Sequence, residues 1–267
     1  MCRDAMPVIF AACLILLAPA TGRAQAAPPD SEVEVVDVQL ERAPDEKVPD
    51  LKAVARDFLV MTNAFREKEK QPRLALDPKL ADTARDFAEF MAGNNRYGHA
   101  ADGQDAGLRA NKHEYEFSLI SENIGYSFHT FGFTTEELGR HFVEAWENSP
   151  GHRRNMLDPD VTEAGMGVAR SEKTGFYYAV QIFARPRTLV VAVEIVNRSS
   201  MTISYRFADR DFTLESSEGR IHEQGRPADL TFEVPTGGKP ITRTVRVDCK
   251  SRYVIRDARE PARGKPR

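Results

Sequence analysis

The order of apolar patterns along the chain constrains its fold more than any other feature. Apolar residues recur at helical spacing over residues 51–70, 78–92 and 134–149, whereas β-rich runs separated by turn residues fill most of residues 164–255. Helices followed by strands, with few alternations of strand, helix and strand, predict an α+β fold. A doubly wound parallel sheet is not favoured, because it would need that alternation throughout.

Residues with capping character mark the ends of two of these helices. Asp77 can cap the second helix, Pro78 suits its first turn, and Gly93 can end it. The third helix is expected to begin near Thr134, and Pro150 with the glycine after it is expected to end that helix. The segment between the second and third helices is polar and is expected to be largely irregular.

The first 26 residues have the pattern of a secretory signal peptide. An apolar run over residues 8–18 is far shorter than the roughly 20 residues that a membrane-spanning helix needs, and small residues follow it. We therefore expect a secreted protein, extracellular or periplasmic once the signal is removed, with no membrane span. Removal would also take Cys2 and Cys13, so that Cys249 would remain alone and no internal disulfide could form.

Composition divides the rest of the chain into four parts. Residues 27–50 form an acidic, proline-containing linker, and residues 51–186 hold the helices and two strand-like runs. Residues 187–255 contain six short β-rich runs, which predict a small β-sandwich-like domain, and residues 256–267 form a basic tail. The formal net charge of −3, with both signs interspersed, gives no nucleic-acid-binding pattern.

Three polar residues far apart in sequence carry the chemistry that could build a site. His99 stands in a polar loop, Glu122 in S-E-N-I-G-Y-S, and His152 in N-S-P-G-H-R-R-N-M-L. Histidine suits proton transfer and metal ligation, and a carboxylate can complete a metal site or orient an imidazole. By contrast, His222 stands without chemical partners in a segment typical of a polar turn, and we expect it to be solvated.

Five motifs stand in one order across residues 51–185. They are L-x-L-D-P-x-L, the G-H of R-Y-G-H-A, S-E-N-I-G, W-x-x-S-P-G-H-R-x-N-M-L, and G-M-G-V-A followed by Y-Y-A-V-Q-I-F-A. This series resembles the CAP superfamily (cysteine-rich secretory protein, antigen 5 and pathogenesis-related 1; the SCP domain) in its cysteine-free bacterial form. The resemblance implies a three-layer α-β-α sandwich with a cleft, and it does not extend to residues 187–267.

The resemblance also implies which residues meet in the cleft. His99 and His152 would be the cleft histidines, able to hold zinc or another divalent metal, and Glu122 would be the first cleft glutamate and a possible third ligand. Ser149 occupies the place where many relatives carry a second glutamate. Three further candidates for the cleft lie within the motifs: Asn155, Tyr178 and Gln181. Because side chains alternate along a strand, Tyr178 and Gln181 are expected to lie on opposite faces, so that only one of them can face the cleft.

Three functions stay open on this evidence. A secreted binding module would use the cleft to hold a metal and a lipid, peptide or glycan ligand. A metal-dependent hydrolase or protease would use His99, His152 and Glu122, but neither a general base nor an oxyanion donor stands out, so no catalytic residue is assigned. A structural or interaction protein would let the same three side chains satisfy one another in a buried network.

Overall fold

The computed structural model describes residues 47–234 and 241–257, which contain five α-helices, one short 3-10 helix and eleven strands. The predicted signal peptide, almost all of the predicted linker and nearly all of the basic tail lie outside these residues. Within the described residues, no helix is both long enough and apolar enough to cross a membrane.

The helices are α1 (Leu51–Lys68), α2 (Pro78–Asn94), α3 (Ala106–Lys112), α4 (Thr135–Glu147) and α5 (Pro150–Leu157). The strands of the first sheet are β1 (Ala75–Leu76), β2 (Phe117–Ser127), β3 (Glu163–Arg170) and β4 (Tyr177–Pro186). The later strands are β5 (Val191–Arg198), β6 (Ile203–Phe207), β7 (Arg210–Leu214), β8 (Gly219–Gln224), β9 (Ala228–Val234), β10 (Ile241–Val247) and β11 (Ser251–Arg256).

The first sheet is the middle layer of a three-layer sandwich. Its strand order is β1-β3-β4-β2, with β1 parallel to β3 and the other neighbours antiparallel. Apolar side chains of α1 and α4 pack on one face, where Phe58, Phe142 and Trp146 form an aromatic cluster. Side chains of α2, including Phe87 and Met91, cover the other face. The predicted α+β class and α-β-α architecture are therefore confirmed.

The helix ends agree with the capping predictions except at Gly93 and Pro150. Asp77 caps α2 by accepting a hydrogen bond from the Leu80 backbone, although the helix continues past Gly93 and ends before Asn95, whose φ is 49°. The predicted start of α4 is confirmed as well, since Thr134, the residue before the helix, forms a capping box with Glu137. Pro150, however, does not merely end α4. It is the first residue of α5, a position where its missing N–H has no helical partner to lose.

Strands β2 and β8 and helix α3 are elements that the sequence did not predict. Strand β2 spans eleven residues, but its serine, glutamate, asparagine and glycine interrupt the apolar alternation that identifies a strand. Helix α3 has only seven residues, too few for a helical period to stand out. Strand β8 is mostly exposed and therefore lacks an alternating apolar face.

The strands after residue 190 form two sheets around a separate core, as the predicted small β domain requires. One sheet has the order β10-β9-β6-β7 and the other β11-β5-β8. Between them, Ile195, Tyr205 and Leu230 are almost completely buried. The prediction that His222 is solvated in a turn was wrong. His222 lies on β8, its Nε2 is 2.8 Å from the Tyr205 hydroxyl, and its ring centroid is 4.4 Å from that of Phe212.

The two C-terminal sheets contact the first sheet's layers at the end of α5. Arg226, which follows β8, places its guanidinium 2.7 Å from Asp158 and 2.8 Å from Asp160. From the other side, the buried Arg66 of α1 donates hydrogen bonds of 2.7 and 3.0 Å to the backbone carbonyls of Met156 and Asp158. Cations from two distant parts of the chain therefore meet at the C-terminus of α5, where the helix dipole is negative.

We expect Gly165→Ala to destabilise the protein strongly. A Cβ at Gly165 would overlap the backbone carbonyl group of Leu80, because α2 packs its main chain directly on β3. Helix and strand would have to separate, which we expect to lower the free energy of unfolding by at least about 3 kcal/mol. Urea unfolding followed by circular dichroism measures the change.

The matched control for this substitution is Gly93→Ala, since no atom lies within 4 Å of the added methyl group. Alanine is the better helix former, so this variant should be as stable as the wild type or more stable by up to about 1 kcal/mol. Equal urea midpoints for Gly165→Ala and Gly93→Ala would contradict the direct packing of the α2 main chain on β3.

Candidate functional site

A buried carboxylate lies at the centre of the candidate site. The Glu122 side chain projects from β2 toward α2 and is only 4 % exposed. Its Oε1 accepts a hydrogen bond of 2.8 Å from His99 Nδ1, and its Oε2 accepts one of 2.7 Å from the Arg109 guanidinium. Both oxygens are thus engaged by charged or ionisable partners, which is how a carboxylate remains tolerable in a protein interior.

Arg109 joins three parts of the structure and was not predicted from the sequence. It lies on α3, is 5 % exposed on its side chain, and stacks 3.5 Å from the ring centroid of Phe87. It also donates hydrogen bonds to Asp102 and to the backbone carbonyl of His99. The only local signal for its position is Asp105, which caps α3. A single arginine in a short polar segment otherwise has no recognisable pattern.

His99 is held at the edge of this buried group. Its side chain is 61 % exposed, yet Nδ1 is committed to Glu122. A carboxylate that accepts from Nδ1 sets the tautomer and orientation of the ring, so Nε2 is the nitrogen available to a ligand.

His152 approaches from α5 and is half-buried. Its Nδ1 is buried and finds no hydrogen-bond partner among the residues that the structure describes. Burial lowers the pKa of His152, and the proximity of His99 lowers it further. The structure therefore brings His99, Glu122 and His152 into one region, as the predicted cleft requires, and favours a neutral imidazole at His152.

A chain of buried amides fixes α5 against β2. The side-chain nitrogen of Asn123 donates to the His152 carbonyl at 3.2 Å and to Gln181 Oε1 at 3.1 Å. Asn155 donates to Asn123 Oδ1 and to the Glu122 carbonyl, while Gln181 donates to Thr62. The amides of Asn123 and Gln181 both donate and accept, so the network specifies one arrangement of the strand and helix.

The remaining predicted cleft residues occupy different surroundings. Gln181 is 0 % exposed and lies inside the amide network, so it supports the site from beneath. Tyr178 points to the opposite face of β4, where it stacks on Tyr126. Ser149 precedes α5 and its side chain makes no capping hydrogen bond. As predicted, alternation along β4 separates Tyr178 from Gln181.

The geometry changes the role expected for Glu122. Among residues 47–234 and 241–257, no group of three histidine, cysteine, aspartate or glutamate side chains is arranged to hold a metal. Glu122 faces Arg109 and the Nδ1 of His99, which is the place of a residue that orients a metal ligand. It is not placed as a third ligand.

The comparison with known protein families agrees with the fold. Residues 59–183 match the model of the CAP family, described as the cysteine-rich secretory protein family. This part of the chain is a CAP domain, and it includes His99, Glu122 and His152.

Individual relatives match less than half of this chain. The uncharacterized protein YkwD of Bacillus subtilis is 29 % identical over 119 residues, which are 45 % of this chain and 44 % of that one. The uncharacterized membrane protein YlbC of the same organism is 31 % identical over 120 residues, 45 % of this chain and 32 % of that one. This chain thus spans less than half the length of the curated relatives it matches.

Solved structures are similar over about half of this chain. An extracellular protein containing an SCP domain from Bacillus anthracis is 29 % identical, with a TM-score of 0.43 over 51 % of this chain and 41 % of that one. An outer surface protein from Borrelia burgdorferi is 20 % identical, with a TM-score of 0.45 over 51 % of this chain and 95 % of that one.

Arg109→Met should destabilise the protein far more than the loss of an ordinary ion pair. The substitution leaves the Glu122 carboxylate buried without its guanidinium, which we expect to cost about 3–5 kcal/mol in the free energy of unfolding. Denaturant unfolding measures this loss. In the double variant Arg109→Met with Glu122→Gln, part of the loss should be recovered, because the buried charge of Glu122 is gone and only Asp102 still lacks its guanidinium partner.

The control is Arg85→Met on the outer face of α2. Arg85 pairs with Asp82 and Asp86, and all three side chains are about half exposed. Its loss should change the stability by no more than about 1 kcal/mol. Similar losses at the two arginines would show that the Glu122 ion pair has no special structural role.

Proposed function

We propose that the protein is a secreted binding module in which His99 and His152 hold a divalent metal, zinc or another ion, and present it to an extracellular ligand. The single observation that carries the proposal is the 2.8 Å hydrogen bond between His99 Nδ1 and Glu122. Histidines that ligate a metal regularly donate their other ring nitrogen to a carboxylate. Here that carboxylate is itself fixed by Arg109.

The second histidine fits the same role. The lowered pKa of His152 keeps its ring neutral at physiological pH, and only a neutral imidazole can ligate a metal. Its buried, unbonded Nδ1 also marks an unsatisfied polar atom in this region, of the kind that a bound ion, water or ligand group usually satisfies.

Two protein nitrogens would leave most of the metal's coordination positions to water or ligand. Structural zinc sites generally use four protein ligands, whereas sites that act on or bind other molecules keep positions open. When bound, the ion would supply a positive charge able to polarise an oxygen of the ligand. The amide network would hold His152 in place while exchange occurs at the open positions.

The site supports a binding module over the two other functions considered. For a hydrolase, Glu122 would have to act as a general base, but both of its oxygens are already engaged. For a purely structural cluster, the three side chains should satisfy one another. Hydrogen bonds do join Glu122 to His99 and Arg109. The Nδ1 of His152, however, takes no part in these hydrogen bonds.

Secretion is the other part of the proposal. It is supported by the signal-peptide pattern of residues 1–26.

Calorimetric titration with zinc at pH 7.5 tests the metal proposal directly. We expect wild-type protein to bind zinc and the double variant His99→Ala with His152→Ala to bind none. Glu122→Gln should weaken binding by about 10- to 100-fold, since it removes the charge behind His99. His113→Ala is the control, because that histidine pairs with Asp86 instead. Absence of binding to wild type, or equal binding to the double variant, would reject the proposal.

Zinc affinity should also depend on pH in a definite direction. Protons compete with the metal for imidazole nitrogens, so affinity should fall as the pH is lowered from 7.5 and be lost near about pH 5. Because burial lowers the pKa of His152, this histidine should remain available to metal below the pH at which an exposed histidine protonates. Titrations at several pH values measure the profile, and an affinity unchanged at pH 5 would contradict ligation by histidine.

A further inference from the structure

A row of aromatic rings extends away from the histidine site along one surface. Tyr97 lies two residues before His99, and its ring centroid is 4.6 Å from that of Tyr126. The Tyr126 ring is 5.8 Å from Phe176, and the Phe176 ring is 5.3 Å from Phe128. We call these four residues the aromatic row.

The rings of the aromatic row are accessible to a ligand. Tyr97 is 48 % exposed, Tyr126 is 38 % exposed and Phe128 is 48 % exposed. Large aromatic side chains are normally buried, and a contiguous set at the surface marks a binding surface more often than a single exposed ring does.

The strand geometry connects the aromatic row to the candidate metal site. Glu122, Ile124 and Tyr126 are alternate residues of β2, so their side chains lie on the same face of the sheet. Tyr97 reaches the same strand, because its hydroxyl donates a hydrogen bond to the Ile124 carbonyl. A ligand lying on the row would therefore extend toward His99 and Glu122.

The polar chemistry of the aromatic row favours an uncharged ligand. Its four members carry no formal charge at neutral pH, and burial together with the nearby Tyr126 and Glu122 raises the pKa of Tyr97 to about 12. Two of the four rings bear hydroxyl groups, which can pair with hydroxyls of a ligand. The row thus combines flat apolar faces with neutral hydrogen-bonding groups.

A peptide that adds a strand to the sheet is not favoured here. Although β2 is an edge strand, its Glu122 carbonyl already accepts a hydrogen bond from Asn155. The Ile124 carbonyl accepts from both Trp146 and Tyr97. Strand addition depends on free backbone groups along the edge strand. In β2 the carbonyls of Glu122 and Ile124 are already occupied.

We propose that the aromatic row binds a linear, uncharged oligosaccharide. The C–H face of a pyranose ring carries partial positive charge and packs on the negative face of an aromatic ring, while the sugar hydroxyls remain at the rim. Consecutive pyranoses of an extended chain can contact consecutive rings. This inference rests on the proposed binding function, for which it names the ligand class.

Calorimetric titration with chitotetraose and cellotetraose tests the inference. Wild-type protein should bind at least one of them, and Phe128→Ala and Tyr126→Ala should each weaken that binding by about tenfold or more. Phe131→Ala is the matched control, because Phe131 is 57 % exposed in the same loop but lies beside His129, outside the row. Its affinity should equal that of the wild type.

A second kind of variant tests the inference even if the alanine variants misfold. In Phe128→Trp the ring is enlarged, and the one natural tryptophan, Trp146, is buried and only 2 % exposed. Saccharide bound at the row should therefore change the fluorescence of the new tryptophan, with affinity at least equal to that of the wild type. No change in fluorescence at saccharide concentrations that saturate the wild type would overturn the assignment.

Zinc titrations of the same variants separate this inference from the proposed metal site. Phe128→Ala should bind zinc normally, and the double histidine variant should retain saccharide binding to the outer rings. Failure of saccharide binding with normal zinc binding rejects the aromatic row alone. Binding of wild type to uncharged phospholipid vesicles that is lost in Phe128→Ala, without saccharide binding, would overturn the glycan assignment in favour of a lipid surface.

Discussion

The ion pair between Glu122 and Arg109 is the interaction on which the site depends. Both side chains are about 95 % shielded from solvent, and neither charge could remain there without the other. Satisfying the carboxylate requires α3 to lie against β2 and the loop carrying His99 to lie against α3. One electrostatic requirement therefore fixes three segments that are separated in sequence, and the orientation of the His99 ring follows from it.

Strand β2 extends this arrangement to the second histidine because its two faces have different partners. Glu122 points toward α2 and supports His99, while the next residue, Asn123, points toward α1 and α5 and holds the backbone of His152. Adjacent residues of one strand thus position histidines that are 53 residues apart in the chain. The polar residues that made β2 hard to identify as a strand are the same ones that perform this task.

The sequence allowed much of the fold to be predicted, but only part of the site. Helices α1, α2 and α4 have regular apolar spacing, and capping residues mark the starts of α2 and α4. The motifs also contain His99 and Glu122, which the fold joins by a hydrogen bond. Arg109 could not be predicted, because an arginine that pairs across the fold has no local signature. His222 was misassigned for a similar reason, since its partner Tyr205 is brought near only by the packing of two sheets. Glu122 was expected as a possible metal ligand, and only the three-dimensional positions of Arg109 and His99 show that both of its oxygens are already engaged.

The contact between Arg226 and the end of α5 makes the helix that carries His152 depend on the C-terminal sheets. Asp158 and Asp160 lie at the negative end of the helix dipole and would repel both it and each other if Arg226 were absent. In a chain that ended after β4, α5 would tend to unwind from this end, and Asn155 would be the first of its contacts with β2 to loosen. The position of His152 therefore depends on strands that follow the first domain as well as on the domain itself, because an arginine beyond β8 holds the end of the helix that carries this histidine.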